Sequence, residues 1–240
     1  MRLDVYLISE GMTESRTEAK TFILESRVTV NGKAVTKPSY DVTADDVVSI
    51  DKSGKRFVSR GGIKLEGALD AFGISASQRL ALDVGASSGG FTDCLLKRGA
   101  AHVIALDSGS GQLVESLRVD PRVTVIENYN ARYMRCEDLE YKADLCVMDV
   151  SFISATLIFS SLHSCLAPGA DYVCLIKPQF EVGRSGLGKG GIVKDAKIRV
   201  AARDRVIESC VASGFSFVSV IESPIQGGDG NIEYLAHFKA

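Results

Sequence analysis

The sequence predicts a doubly wound α/β domain built on a mostly parallel sheet, preceded by a small α+β module. Three observations carry this reading. From residue 80 onward, seven short apolar runs alternate with helical stretches, the pattern of successive βα units. The turn after the first run is rich in glycine, as a close approach of backbone to a ligand requires. Before residue 51, a capped amphipathic helix is followed by alternating valines around Asn31-Gly32, the strongest short-range hairpin signal.

In the N-terminal module, Ser15-Arg16-Thr17-Glu18 fits a capping box, with Ser15 as N-cap and Glu18 reaching back. Ala19, Phe22 and Ile23 then share one apolar face, while Arg16 and Lys20 share another. The hairpin runs from Arg27 to Val35, Lys37-Pro38 breaks the strand, and residues 47–50 read as a further strand. Residues 52–65 are polar, basic and glycine-containing, the composition of a linker. Gly61-Gly62 is a candidate hinge within it.

The seven strands are expected at residues 80–84, 102–106, 123–126, 144–148, 171–176, 217–221 and 232–238. Helices are expected near 91–98, 111–118, 154–166 and 194–213. The predicted units are residues 1–51, a linker at 52–65, and the α/β domain at 66–240.

Composition removes several classes of function. With 45% hydrophobic and 24% charged residues among 240, the chain is neither a disordered polyelectrolyte nor a membrane bundle. No run approaches the roughly 18 apolar residues of a spanning helix, and the start lacks the apolar stretch of a secretory signal. Six cysteines without a Cys-x-x-Cys pair, and three scattered histidines, argue against a zinc site and a disulfide framework. No metal is expected, and the scattered thiols point to a reducing, cytoplasmic setting.

The net charge of −2 hides local basic runs. Between Lys52 and Lys64 stand Lys52, Lys55, Arg56, Arg60 and Lys64 with no acid; between Arg184 and Arg205, seven basic residues face only Asp195 and Asp204. Such patches, rather than whole-chain charge, attract phosphate.

The glycine-rich turn reads Asp83-Val84-Gly85-Ala86-Ser87-Ser88-Gly89-Gly90-Phe91. Dinucleotide enzymes need a glycine where Ser87 stands, so a nicotinamide cofactor is disfavoured. Asp107 closes the second strand, where an acid can accept both ribose hydroxyls of a nucleoside-bearing cofactor. No P-loop is present. Asp149 and Lys177 end two later strands, where open α/β sheets place their sites. Lys64 precedes the α/β domain and Glu233 falls on the last strand. A cation directly after an apolar strand, as at Lys177, is costly unless something uses it. Between Gln179 and Val193, five glycines with Arg184, Lys189 and Lys194 form a candidate substrate lid.

These motifs resemble known families. Arg2-Leu3-Asp4, Ser15-Arg16 with Ala19-Lys20, the Val28-x-Val30-Asn31-Gly32 turn and Lys37-Pro38 resemble the S4 RNA-binding domain. That likeness implies RNA contacts from Arg2, Arg16, Lys20, Lys33 and Lys37, to which the basic runs add Arg60, Arg184 and Lys189. Asp-Val-Gly-x-x-x-Gly-Gly-Phe resembles the motif of FtsJ-like, S-adenosylmethionine-dependent methyltransferases. It implies that Asp83, Gly85, Ser87, Gly89, Gly90 and Phe91 line the methionine side, that Asp107 holds the ribose, that Asn130 meets the adenine, and that Asp149 adjoins the cofactor. The order Lys64, Asp149, Lys177, Glu233 is similar to the K-D-K-E tetrad of FtsJ-like ribose 2′-O-methyltransferases, with Lys177 assigned as base.

From end to end the chain resembles the TlyA, or hemolysin A, family of ribosomal RNA 2′-O-methyltransferases. The resemblance implies a Rossmann-like methyltransferase domain with a seven-stranded sheet, one strand antiparallel, behind a small S4-like domain. It implies methylation of a cytidine ribose in large-subunit ribosomal RNA and, in some members, small-subunit RNA. Three rivals are weighed against it. An RNA-binding protein with a silent methyltransferase fold would lack a tetrad residue, and none is missing. A membrane-active hemolysin would need apolar segments the chain does not have. An oxidoreductase is disfavoured by Ser87.

Overall fold

Helix α1 (Leu3–Ser9) and helix α2 (Arg16–Leu24) turn Leu3, Leu7, Ala19 and Ile23 toward one another. Seven residues are too few for periodicity to register, which is why α1 is not foreseen from sequence. Helix α2 begins as predicted. The Glu18 N–H donates to Ser15 Oγ, and Glu18 Oε2 accepts from the Glu14 N–H, one residue beyond the cap. Strand β1 (Val28–Val30) pairs antiparallel with β2 (Lys33–Ala34) and β3 (Val48–Ile50). Asn31 and Gly32 both take positive φ, 52° and 77°, as a two-residue turn of the primed kind requires. Val28, Val30, Val42 and Val48 close this small core.

Asp4 lies fully buried in that module. Arg2 donates to it through Nε and Nη2 (2.9 and 3.0 Å), and Arg16 through Nε (3.1 Å). The Arg2 guanidinium, with Arg16 beside it, holds the Asp4 carboxyl down to about 2.

The computed structural model describes residues 1–52, 56–183, 186–227 and 230–240; Lys55 and Arg184 therefore lie outside the described residues. Helix α3 (Gly61–Phe72) starts inside the stretch expected as linker, so residues 61–65 are its first turn. Gly61-Gly62, the candidate hinge, lies in the first turn of this helix. A Cβ at Gly62 would lie 2.3 Å from the Phe57 ring, and one at Gly90 would lie 2.1 Å from Ser59 Oγ. These glycines let the junction pack tightly onto the larger unit. The Val58 N–H donates to Asp93 Oδ2, and Lys97 Nζ donates to the Arg56 carbonyl.

The large sheet contains β4 (Leu80–Val84), β5 (His102–Leu106), β6 (Val123–Ile126), β7 (Ala143–Met148), β8 (Leu166–Ile176), β9 (Ser216–Glu222) and β10 (Tyr234–Lys239). Their spatial order is β6-β5-β4-β7-β8-β10-β9. The pairings among β4 to β8 are parallel, and β10 runs antiparallel to both its neighbours. This is the seven-stranded sheet with one reversed strand. Strand order reverses beside β4, which places a crevice outside the carboxyl ends of β4 and β7.

Successive residues point to opposite faces, so Ala81, Val103, Leu145 and Val147 join one apolar layer while Leu82, Ile104, Cys146 and Met148 join the other. Helices α3 and α4 (Gly90–Lys97) cover the first layer. The second is covered by α6 (Phe159–His163) and α8 (Ala196–Ala212). Two helices are shorter than expected. Residues 111–118 give only α5 (Glu115–Arg118), and residues 154–166 give a 3-10 turn and the five-residue α6; the one-turn α7 (Pro178–Glu181) is not foreseen from sequence. Strand β8 begins earlier than expected, at the buried Leu166, because the exposed Pro168 and Gly169 break its apolar run. Glu233 sits one residue before β10, not on it.

The Asp4 arrangement has a measurable consequence. Folding lowers this carboxyl below its ordinary 3.8 to about 2, so its contribution is present above about pH 4 and is lost as pH falls through 2. Asp4→Asn is expected to destabilise the protein at neutral pH and to flatten its acid-induced loss of stability below pH 4. Denaturant melts of wild type and variant across that window check this.

Candidate active site

The chain leaves β4 through a turn that only unusual backbone can make. Gly85 has φ 85°, Ser87 48° and Gly89 95°. A Cβ on Gly85 would stand 2.4 Å from the Asp149 carbonyl oxygen, and the Asp149 N–H donates to the Val84 carbonyl at 2.9 Å. The glycine turn and the end of β7 are thus pressed together, which brings Asp149 to the turn.

Asp107 follows β5. Its Oδ2 accepts from the Ser87 N–H (2.8 Å) and its Oδ1 from the Gly109 N–H (2.7 Å). These bonds fix the carboxylate, and each oxygen retains acceptor capacity for a ligand hydroxyl. Ser87 Oγ donates to Gln112 Oε1.

A cleft of about 260 Å³ opens at this point. Of the residues singled out from sequence, Arg60, Lys64, Gly85, Ser87, Gly90, Phe91, Asp149 and Lys177 line it, with Ser59 and Ser151 beside them. Others lie outside that lining. Asp83 is wholly buried beneath the turn, with Oδ2 accepting from Thr92 Oγ1 and Oδ1 unpartnered among the described residues. Burial pushes its carboxyl up to about 7, against the Thr92 hydrogen bond and with some help from Asp149. Gly89 packs against Leu113 and Leu117. Asp107 borders the cleft through Ser87. Asn130 caps the turn 131–133, its Oδ1 accepting from the Arg132 N–H.

Two ammonium–carboxylate pairs mark the cleft. Lys177 Nζ lies 2.5 Å from Asp149 Oδ1 and donates to Ser151 Oγ at 2.6 Å. Lys64 Nζ donates to Glu233 Oε2 at 2.5 Å. Glu233 is 2% exposed and stands behind Lys64 rather than on the cleft wall. Its other oxygen accepts from Gln179 Nε2. Gly227 leaves room for this carboxylate, because a Cβ there would meet Glu233 Oε1 at 2.4 Å. Both lysine side chains are about one-tenth exposed. They are desolvated amines with fixed partners, suited to work on a proton.

The basic residues fall into separate groups. Arg2 and Arg16 converge on Asp4, and Pro38, next to Lys37, accepts from the Asp4 N–H. Lys20 and Lys37 are exposed. Lys33 and Arg60 line a larger groove, of about 930 Å³, between the two units, and Arg60 lines the catalytic cleft as well. Lys189 is exposed on the turn 189–191. The end of that glycine-rich segment is pinned by Asn231, which accepts from the Val193 N–H and donates to the Gly191 carbonyl.

Sequence reasoning missed Ser151, Phe152, Gln179 and Asn231. Phe152 is 92% exposed, has φ 63°, and places its ring 5.2 Å from that of Phe180. An aromatic residue in the left-handed region is uncommon and strained. The available signal was a phenylalanine in an end-of-strand loop, where water would otherwise favour a polar residue.

Comparison with known proteins agrees with this geometry. Residues 57–240 match the FtsJ-like methyltransferase family, and residues 1–48 match the S4 domain. The chain belongs to the TlyA family of FtsJ-like methyltransferases. It is 46% identical to hemolysin A of Brachyspira hyodysenteriae, over 99% of both chains. It is 43% identical to the 16S/23S rRNA (cytidine-2'-O)-methyltransferase TlyA of Mycobacterium tuberculosis, over 97% of this chain and 87% of that one. A solved structure from Streptococcus thermophilus that carries a hemolysin name superposes with a TM-score of 0.77 at 41% identity, covering all of this chain and 88% of the other. No helix among the described residues of this TlyA-family chain is long and apolar enough to cross a membrane.

The unpartnered Asp83 carboxyl yields a pH prediction for this methyltransferase fold. Folding raises it from 3.8 to about 7, so the folded state holds an extra proton between those values. Its contribution to stability is complete below about pH 4 and is lost as pH rises through 7. Asp83→Asn is expected to remove that part of the decline, read from urea melts of both proteins at pH 5 and pH 8.

Proposed function

We propose that this protein transfers a methyl group to a cytidine ribose 2′-hydroxyl of ribosomal RNA, with S-adenosylmethionine as donor. One observation carries the reading: Lys64, Asp149 and Lys177 line the same cleft as the glycine turn, and Glu233 is paired to Lys64 from behind. The curated relative in Mycobacterium tuberculosis, similar over nearly the whole chain, is named for this reaction on 16S and 23S RNA.

The residues present fit the cofactor. Gly85, Ser87 and Gly90 line the cleft, the start of α4 offers free N–H groups for a carboxylate, and the fixed Asp107 suits a ribose. When bound, S-adenosylmethionine supplies a methyl carbon already activated by its sulfonium. The protein's own task is to orient the ribose and to handle its proton. Lys177 takes the 2′-proton, with Asp149 and Ser151 fixing the direction of Nζ. Lys64, held by Glu233, whose other oxygen accepts from Gln179, brings positive charge to the oxygen as it loses that proton. Asp83 acts from beneath the turn, through the backbone it supports, and Asn130 borders the adenine side by shaping the turn 131–133.

Residues 1–51 serve as the RNA-docking unit, 52–65 as the join and 66–240 as the catalytic unit. Arg2 and Arg16 are presented as a pair because Asp4 orients both, which lowers the cost of aligning them on phosphate. Lys20, Lys33 and Lys37 extend the contact, and Arg60 bridges the groove to the cleft. Lys189 meets phosphate from the glycine-rich segment.

The decisive experiment transfers labelled methyl from S-adenosylmethionine to purified ribosomal subunits, using wild type and Lys177→Met. Label that survives alkaline hydrolysis as a resistant dinucleotide is expected for wild type, with loss of at least about 100-fold in the variant. Full turnover by Lys177→Met would remove Lys177 from the role of base. Separately, Arg16→Ala is expected to weaken RNA binding and to reduce the salt slope of log K by about one, as measured by titrations at several salt concentrations.

A further inference from the structure

The segment that follows β8 carries more than Lys177. Lys177, Phe180 and Glu181 each reach across to the loop that follows β7, the neighbouring parallel strand. At the chemical end, Lys177 contacts Asp149 and Ser151. In the middle, the Phe180 ring meets Phe152. At the far end, Glu181 Oε2 accepts from Ser154 Oγ at 2.6 Å and Glu181 Oε1 accepts from the Ala155 N–H at 2.9 Å. Arg205 of α8 donates to the Glu181 carbonyl, which anchors the short helix from its other side.

The middle of the 149–155 loop is strained, because Phe152 holds a left-handed backbone with its ring almost wholly in solvent. Such a conformation persists only where the surroundings over-determine it. Asp149 fixes the loop at one end through its backbone bond to Val84. At the other end, both carboxylate oxygens of Glu181 are committed to the loop. Without Glu181, the Ala155 N–H loses its acceptor and the loop is free to relax, carrying Ser151 and the Asp149 side chain out of register with Lys177.

We infer that Glu181 is a positioning residue, which touches neither cofactor nor RNA but holds the Asp149–Ser154 loop against Lys177 and so sets the rate of methyl transfer. The inference rests on the ribose-methylation reading above. Misplacement of a reacting group by about 1 Å can cost about 100-fold in rate. Glutamine at this position keeps a carbonyl oxygen for the Ala155 N–H, and the Ser154 hydroxyl can turn to accept from its amide.

The test compares wild type, Glu181→Ala, Glu181→Gln and Ser154→Ala in the labelled-methyl assay, with S-adenosylmethionine affinity by calorimetry and thermal melts alongside. Glu181→Ala is expected to lose at least tenfold in kcat while cofactor Kd and RNA KM stay within about threefold. Glu181→Gln should recover most of kcat, and Ser154→Ala should lose less than Glu181→Ala. Wild-type kcat in Glu181→Ala would overturn the inference. So would a loss of kcat that Glu181→Gln does not restore although its melting temperature matches wild type. Should Glu181→Ala fail to fold, the Glu181→Gln and Ser154→Ala comparison still decides. Absence of alkali-resistant product from the wild type would instead overturn the underlying reading.

Discussion

The Lys64–Glu233 pair joins residues 169 positions apart in sequence. Neither charge has enough water to stand alone, since Glu233 is 2% exposed and Lys64 8%. Removing one partner of a buried pair costs about 3–5 kcal/mol, mostly the penalty of stranding the other. The pair therefore ties α3 to the approach of β10. The same helix buries Leu65, Ala68 and Leu69 on the sheet, so apolar packing and the ion pair act on one element. Gly227 and Gln179 complete the arrangement, one by leaving space and the other by donating to the second oxygen. A pair proposed to serve catalysis is thus also a tie between the two ends of the larger unit.

The second pair depends on parallel neighbours. Strands β7 and β8 run side by side, with Val147 opposite Val173 and Met148 opposite Cys174. Their carboxyl ends therefore deliver Asp149 and Lys177 to one place without any long-range fold of the loops. What the strands cannot supply is orientation after they end. Ser151 directs Lys177, and the contacts between residues 152–155 and 180–181 hold the loop that carries Asp149. The site is built on rigid strands and then trimmed by short loops, the arrangement that permits sub-ångström placement of reacting groups.

Much of this was legible in the residues. Six of the seven strands of the large sheet fall within two residues of their apolar runs at both ends, because buried parallel strands read as continuous hydrophobic segments. Strand β8 did not, since the exposed Pro168 and Gly169 interrupt the apolar signal between buried Leu166 and Ala170, and β10 starts two residues late because Ile232 and Glu233 still belong to the approach. Helices α1 and α3 were missed for different reasons. Helix α1 is too short to show a period. Helix α3 opens with Gly61-Gly62, which argues for a linker on propensity alone. Gly62 is there because the Phe57 ring occupies the space a side chain would take, a tertiary demand that local reasoning does not see. The four tetrad positions were legible as polar residues at element ends. Ser151, Gln179 and Asn231 were not, since a serine, a glutamine or an asparagine in a loop has no pattern until its partner is known.

The junction at residues 56–60 explains how a chain of net charge −2 can address RNA. Phe57 is buried under Gly62, Val58 is bonded to Asp93, and Lys97 is bonded to Arg56. These contacts hold Ser59 and Arg60 at a fixed place, where they line both the groove beside the S4 unit and the cleft holding Lys64 and Lys177. Phosphate attraction acts within about a Debye length, roughly 10 Å at moderate salt. What matters is the sign of charge along the approach, not the total. Glu25 and Asp51 also line the groove but are outnumbered there by Arg27, Lys33, Arg56 and Arg60, so the molecule can be acidic overall while the groove that leads toward Lys64 and Lys177 carries net positive charge. A flexible linker would scatter those charges. The packed junction keeps Arg60 in place where groove and cleft meet.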